Sequence, residues 1–268
     1  MKPPVRYIPE WWAIFAPSSN GTRASRKNTG QERFFISRAM KLGGWQRLSL
    51  IDYPERLSAV LFTQGCNFRC PYCHNPELVD PKRFQKPLPP EDVFSFLRTR
   101  QGKLDAVCIT GGEPCIQPDL VEFMEKIKEM PYLIKLDTNG SHPEVLARLA
   151  EKGLVDYIAM DVKGPLPKYG QISKSRTKTD RIKESIQLIM DSGVDYEFRT
   201  TVVKSMLTKG DFKKIGALIK GAQRYVLQKF IPSKPLNKRF LKETTYTDKD
   251  FEALRKKLED AVQEVVVR

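Results

Sequence analysis

The chain has 268 residues, 40% of them apolar and 29% charged, with 46 Lys and Arg against 32 Asp and Glu. That length can bury a substantial core, and since barrels of about 200–250 residues form single domains, one main domain is the expectation. No apolar run approaches the roughly 18 residues of a membrane span, so a soluble protein is expected; the net charge of +14 could attract acidic proteins, anionic substrates or nucleic acid. The positive charge is spread along the chain without an aromatic RNP or GXXG signature, and nucleic acid is therefore not the expected partner.

Residues 1–39 mix prolines, "SSNGT" and scattered basic residues without sustained periodicity, which reads as a flexible N-terminal extension with Met40 as a candidate native start. Their one apolar patch, "WWAIF", is shorter than the roughly 7–15 residues of a secretory core, so the expected location is the cytoplasm. From residue 40 to 268 the text is regular. Strand-length apolar runs recur at 57–63, 105–110, 132–138, 157–163, 196–203 and 224–230. Between them stand segments of helical period such as "PEDVFSFLRTR", "QPDLVEFMEKIKEM", "HPEVLARLAEKG", "DRIKESIQLIMDSG" and "DFKKIGALIKGA". Strict alternation implies an α/β fold with a parallel sheet and right-handed crossovers. After the first gap the strand starts lie about 25–40 residues apart, near the spacing of an eight-fold barrel, so six units predict a partial (β/α)6 TIM-like barrel. A doubly wound open sheet is the competing layout, but its Gly-rich turn after the first strand is replaced here by cysteines. "TDKDFEALRKKLEDAVQEVVV", residues 247–267, reads as a closing helix with a Thr or Asp cap.

Those cysteines, Cys66, Cys70 and Cys73 in "QGCNFRCPYCHNPELVD", are three of the chain's five and follow the first predicted strand. Loops after strands form the active face of a parallel barrel. An odd number of clustered thiols in a reducing compartment argues for metal or redox use over disulfides. Structural zinc takes four ligands, and the nearest fourth candidate, His74, is adjacent to Cys73 and poorly placed to share its tetrahedron. Iron–sulfur clusters are held by thiolates, and a cubane bound by three of them leaves one iron open. Cys108, inside a strand, reads as a small core residue; Cys115 is ambiguous between packing and ligation.

At "CNFRCPYC", with Tyr72 before the third cysteine, the chain resembles the radical S-adenosylmethionine (SAM) enzymes. The longer "FTQGCNFRCPYCHNPELV" is similar more narrowly to the activating enzymes of glycyl-radical enzymes, above all the anaerobic ribonucleoside-triphosphate reductase activating proteins. The resemblance runs from about Met40 through the sixth strand. It implies a 4Fe–4S cluster on Cys66, Cys70 and Cys73, chelated at its open iron by the amino and carboxylate groups of SAM. It further implies one-electron cleavage of SAM to methionine and a 5′-deoxyadenosyl radical, which takes a hydrogen atom from a glycine of a partner enzyme. A cluster potential near the low end of the roughly −700 to +450 mV range requires an external reductant such as flavodoxin or ferredoxin.

Other motifs follow the strands. In "TGGEP", Gly111 and Gly112 let backbone approach a ligand closely and Glu113 offers an acceptor, although a tight turn alone would explain them; the resemblance implies contact with the methionine amino group. "LDTNG" and "MDVKG" set polar residues at strand ends, where plain turns are the bland alternative. The resemblance implies that Thr138, Asn139, Asp161 and Lys163 contact SAM, with Asp137 and Asp161 candidates for a monovalent cation. Arg199, a charge inside an apolar strand, needs an anionic partner; the resemblance implies the SAM carboxylate, and an internal carboxylate is the alternative. Gln228 stands near the adenosyl group or substrate by the same resemblance, or is a hydrogen-bonded core residue. Two basic segments, 168–183 and 232–242, either receive a protein substrate or are simply solvated. The remaining alternatives are a family member acting on another glycyl-radical enzyme or a small molecule, and a metal-stabilised nucleic-acid binder.

Overall fold

Alternate residues of the strands face opposite ways, and this period divides the protein into an apolar outer layer and a polar interior. The computed structural model describes residues 40–268; the expected N-terminal extension lies outside them. Eight strands form one sheet in chain order: β1 (Leu42–Tyr53), β2 (Arg56–Thr63), β3 (Ala106–Gly111), β4 (Leu133–Thr138), β5 (Tyr157–Asp161), β6 (Asp195–Val202), β7 (Arg224–Lys229) and β8 (Glu264–Val267). β1 pairs antiparallel with β2, and every later pair is parallel. β2 to β7 are the six expected strands. The sheet runs in sequence order from β1 to β8 without re-pairing its edges, a partial barrel with helices between its parallel strands.

Among the described residues the α-helices are α1 (Pro76–Val79), α2 (Pro90–Arg100), α3 (Leu120–Lys128), α4 (Pro143–Glu151), α5 (Tyr169–Ser173), α6 (Thr179–Asp191), α7 (Lys209–Leu218) and α8 (Asp248–Leu258). In α3 the buried Leu120, Val121, Met124 and Ile127 recur at helical spacing. They join outward-facing strand residues such as Leu61, Ile109, Ile134, Leu136 and Phe198 in the main core. Each fully buried aliphatic side chain there contributes about 1.5–3 kcal/mol relative to exposure. Reciprocal capping boxes, Thr208 with Asp211 and Thr247 with Asp250, start α7 and α8.

Two departures from the sequence reading lie at the sheet edges. The closing helix ends at Leu258, and Glu264–Val267 forms β8 beside β7. Three successive valines lose side-chain freedom in a helix and fit a pleated surface, which favours the strand. β1 escaped notice because its register against β2 is interrupted three times, which hides the two-residue alternation.

Inward-facing positions are different in kind. Val60, Ala106, Cys108, Tyr157 and Ala159 make a small apolar cluster, which confirms Cys108 as a packing residue. The same inward parity brings Lys135 and Asp137 on β4, Asp161 on β5 and Glu197 and Arg199 on β6. Barrel lumens are ordinarily filled with branched apolar side chains. Here the fold places charge in part of that lumen instead.

Candidate active site

The cysteine loop leaves β2 at Thr63 and is held in place by backbone. Gln64 N donates to Lys41 O at 2.7 Å, Gly65 N to Leu78 O at 2.8 Å, Arg69 N to Ser173 O at 2.9 Å and Cys73 N to Cys70 O at 3.0 Å. Phe68 packs edge-on against Tyr169, and Tyr72 against Phe230, so aromatic rings from β5–α6 and β7–α8 connections wedge the loop on both sides. All three cysteines are free thiols, Cys70 buried and the other two half-buried. Burial pushes the Cys66 thiol up to about 12 and those of Cys70 and Cys73 up to about 11. Buried neutral thiols become good ligands only when a metal takes the place of their protons, so loading releases protons. Tyr72 Oη is buried without a hydrogen-bond partner among the described residues.

The glycines of "TGGEP" act in a way the sequence reading did not foresee. Gly111 has φ +112°, and a Cβ there would lie 2.4 Å from Thr63 N; a Cβ on Gly112 would lie 1.9 Å from Gly65 O. The close approach is therefore to the root of the cysteine loop, not first of all to a ligand. Gly112 N donates to Thr63 O and Glu113 N to Gly65 O, both at 2.8 Å, which locks the end of β3 to that loop.

Glu113 is 1% exposed and braces the neighbouring strand. Its Oε1 accepts from Cys115 N at 3.0 Å and Thr138 Oγ1 at 2.8 Å, and its Oε2 accepts from Asn139 N at 2.7 Å. Burial raises its pKa, opposed by these three donors. A carboxylate offers about four acceptor positions, and these three donors fill most of them. Asn139 Nδ2 donates to Asn67 Oδ1 at 2.8 Å, and Asn67 Nδ2 to Ser141 Oγ at 2.8 Å, tying β4 to the cysteine loop again. Cys115 is 3% exposed, with its sulfur 3.5 Å from Thr138 Oγ1.

Arg199 has internal partners. Its Nε lies 3.0 Å from Asp161 Oδ1 and its Nη1 lies 3.1 Å from Asp137 Oδ2. Lys163 Nζ reaches Asp161 Oδ2 at 3.0 Å, and Lys135 pairs with Asp137. Glu197 is 1% exposed and meets Arg268 at 3.3 Å. Burial pulls the carboxyl groups of Asp137 and Asp161 up, but the Arg199 guanidinium and the lysines outweigh it and hold both below the usual range. A monovalent cation at Asp137 and Asp161 would have to compete with Arg199 for both. Three cations, Lys135, Lys163 and Arg199, thus share Asp137 and Asp161, and Arg199 Nη1 also lies 4.0 Å from Glu197 Oε1, so the lumen is a network of paired charges.

Gln228 is half-buried on β7, in register with Thr201. In the two basic segments several charges are already matched: Lys168 with Asp211 at 2.6 Å, Lys183 with Asp180 at 3.2 Å and Lys234 with Glu77 at 3.0 Å. The sequence reading missed Lys135, Glu197, Asn67 and Arg268. For the first two there was a signal, since each is a charge two positions from another charge in an apolar strand, hence on the same face. It also missed that residues 231–237 strap the cysteine loop, with Leu236 N donating to Cys73 O and Asn237 N to Pro71 O, both at 2.9 Å.

The donor set fits an iron–sulfur cluster better than closed tetrahedral zinc. Three thiols share one loop, while the candidate fourth ligand, His74, is engaged through Nε2 with Ile231 O at 2.6 Å and against the Phe230 ring. A protein of Methanocaldococcus jannaschii, provisionally named a glycyl-radical enzyme activating enzyme, is 35% identical over 226 residues, covering 82% of this chain and 92% of its own. The pyruvate formate-lyase-activating enzyme of Clostridium pasteurianum is 27% identical over 237 residues, covering 82% of this chain and 96% of its own. Among solved structures, Streptococcus suis SuiB bound to S-adenosylmethionine shares the fold, with a TM-score of 0.57 at 16% identity. That match covers 78% of this chain and 51% of the other, so the chain spans about half of that neighbour's length. The family model for the radical SAM superfamily matches residues 60–219, which include the three cysteines, the paired glycines and Arg199. With its thiols gathered on the loop after β2 and its charged mouth beside them, the chain belongs to the radical SAM superfamily, enzymes that work with a 4Fe–4S cluster and S-adenosylmethionine.

Proposed function

We propose that this enzyme is a glycyl-radical enzyme activating enzyme, with an anaerobic ribonucleotide reductase as its partner and a flavodoxin- or ferredoxin-type protein as its reductant. The observation that carries the reading is the three-thiol loop set beside a lumen of paired charges that includes Asp161, Lys163 and Arg199. The extent of the likeness to two proteins named for activation, over 92% and 96% of their lengths, supports the choice of partner class.

Cys66, Cys70 and Cys73 would hold the cluster. When bound, cluster and SAM supply one-electron chemistry that generates a carbon radical able to take a hydrogen atom. The protein's own part is to bind, orient and keep the site dry. The cations Lys163 and Arg199 favour a carboxylate, and the Glu113 carboxylate favours an ammonium, so together they suit an amino-acid end group. Asp137 and Asp161 hold the Arg199 fork in one orientation. Phe68, Tyr72, Tyr169 and Phe230 exclude water from around the thiols.

The test is anaerobic reconstitution with iron and sulfide, followed by reductant, SAM and a candidate anaerobic ribonucleotide reductase, with electron paramagnetic resonance as the readout. A glycyl signal on the partner that is lost with Cys70→Ala is the expected result. SAM cleavage that proceeds with a small molecule and never marks a protein glycine would reassign the substrate. A colourless protein that holds only zinc and leaves SAM intact would overturn the reading.

A further inference from the structure

The strap after β7 has features that neither the lumen nor the cysteine loop explains. Residues 232–242, "PSKPLNKRFLK", contain four basic residues and no acidic one. Lys238, Arg239 and Lys242 are exposed, and among the described residues no ion pair involves them. Apolar exposure is interleaved with this charge: Ile231 is 41% exposed and Leu241 48%. Beneath them Phe240 packs perpendicular to Phe230, the ring that also faces Tyr72 and His74. The strap is thus anchored to the cysteine loop by rings below and by the Leu236 and Asn237 amides on the carbonyls of Cys73 and Pro71. Exposed Arg69 adds a further cation on the loop itself, where its Nη1 donates to Phe68 O at 2.8 Å.

Apolar residues within a charged rim are the anatomy of a protein interface. Single-stranded nucleic acid would ask for exposed aromatic platforms, and the aromatic residue of the strap is turned inward. We propose that this strap, with Arg69, is the docking surface for an acidic protein that donates single electrons to the cluster. The inference rests on the cluster assignment made above. A polypeptide glycine has to reach the lumen mouth to react, whereas an electron needs only closeness to a ligand of the cluster, and the strap touches the backbone of Cys73. Electron-transfer complexes are small, transient and electrostatically steered, which suits a short basic surface with two apolar contacts. In the step itself one electron leaves a reduced flavin, taking it from hydroquinone to semiquinone, and the cluster gains that electron; no bond forms or breaks.

The test follows cluster bleaching by stopped flow in the reconstituted full chain, with fully reduced flavodoxin or with photoreduced deazariboflavin, a small neutral reductant. The charge-reversed triple variant Lys238→Glu, Arg239→Glu, Lys242→Glu should lose at least about tenfold in bimolecular rate with flavodoxin at low salt. Its rate with deazariboflavin should stay within about twofold, which also shows that the cluster and fold are intact. The triple Lys213→Glu, Lys214→Glu, Lys220→Glu, exposed on and after α7, makes the same change in net charge and should fall less than about twofold with either reductant. Should the reversed strap not assemble a cluster, the neutral triple Lys238→Gln, Arg239→Gln, Lys242→Gln takes its place, with an intermediate loss and a shallower salt dependence expected. Equal rates in the strap and α7 variants overturn the docking surface, and so does a flavodoxin rate indifferent to salt. If deazariboflavin bleaches nothing in the unaltered protein, the cluster assignment itself fails and this inference fails with it.

Discussion

The cysteine loop and the charged lumen are neighbours built on opposite principles. In the loop, the chemistry-bearing residues lie within eight consecutive positions and tertiary structure only stiffens them, through amides from Arg69, Leu236 and Asn237 and rings from Phe230 and Tyr169. In the lumen, Lys135, Asp137, Asp161, Lys163 and Arg199 come from three strands and the turn after one of them, and each is tolerable in the interior only because the others are there. The comparison teaches that loss of a loop thiol should abolish function and spare the fold, whereas loss of a lumen charge should strike the fold first.

The largest expected effect tests the first half. Cys70→Ala should lower SAM cleavage by at least about a thousandfold and reduce bound iron, yet leave the denaturation midpoint of the metal-free protein nearly unchanged, since a small buried residue replaces another. A metal-free variant that unfolds far below its parent would erase the contrast. Next comes Arg199→Met, which leaves Asp137 and Asp161 without their shared cation. Breaking a buried pair by removing one partner costs about 3–5 kcal/mol, to be read by urea unfolding. The triple Asp137→Asn, Asp161→Asn, Arg199→Met should recover part of that loss, because uncompensated charge is removed with its partner.

Gly112→Ala joins the two regions. Its Cβ would meet Gly65 O at 1.9 Å, so the root of the cysteine loop must shift. A stability cost of about 1–3 kcal/mol is expected, together with poorer retention of iron on reconstitution. The mildest effect is that of pH. Asp137 and Asp161 have folded-state pKa values held below the ordinary carboxylate range, after burial, by Arg199 and the neighbouring lysines. Their contribution is present above the unfolded value of about 3.9 and is lost as pH falls from there toward the folded values. The urea midpoint should therefore drop as pH falls below about 4, and the triple lumen variant should show a flatter slope.

Much of this protein was legible in its residues. Six strands, five crossover helices and the cap of α8 follow from apolar periodicity and from Thr or Asp at helix starts, because both signals act over a few neighbouring residues. The spacing of Cys66, Cys70 and Cys73 is equally local, and so it pointed to an iron–sulfur cluster before any fold was in view. Tertiary structure alone decided the rest. The Gly112–Gly65 contact, the clamp of Glu113 on β4 and the strap on Cys73 join residues that are distant in sequence, and no local pattern encodes which carbonyl an amide will meet. Arg199 shows the boundary most sharply: a charge in an apolar strand announced that it needed an anion, but only the parallel register of β5 and β6, which sets Asp161 beside it, decided which one. Desolvation makes a buried charge demand a partner, and sheet geometry supplies the partner.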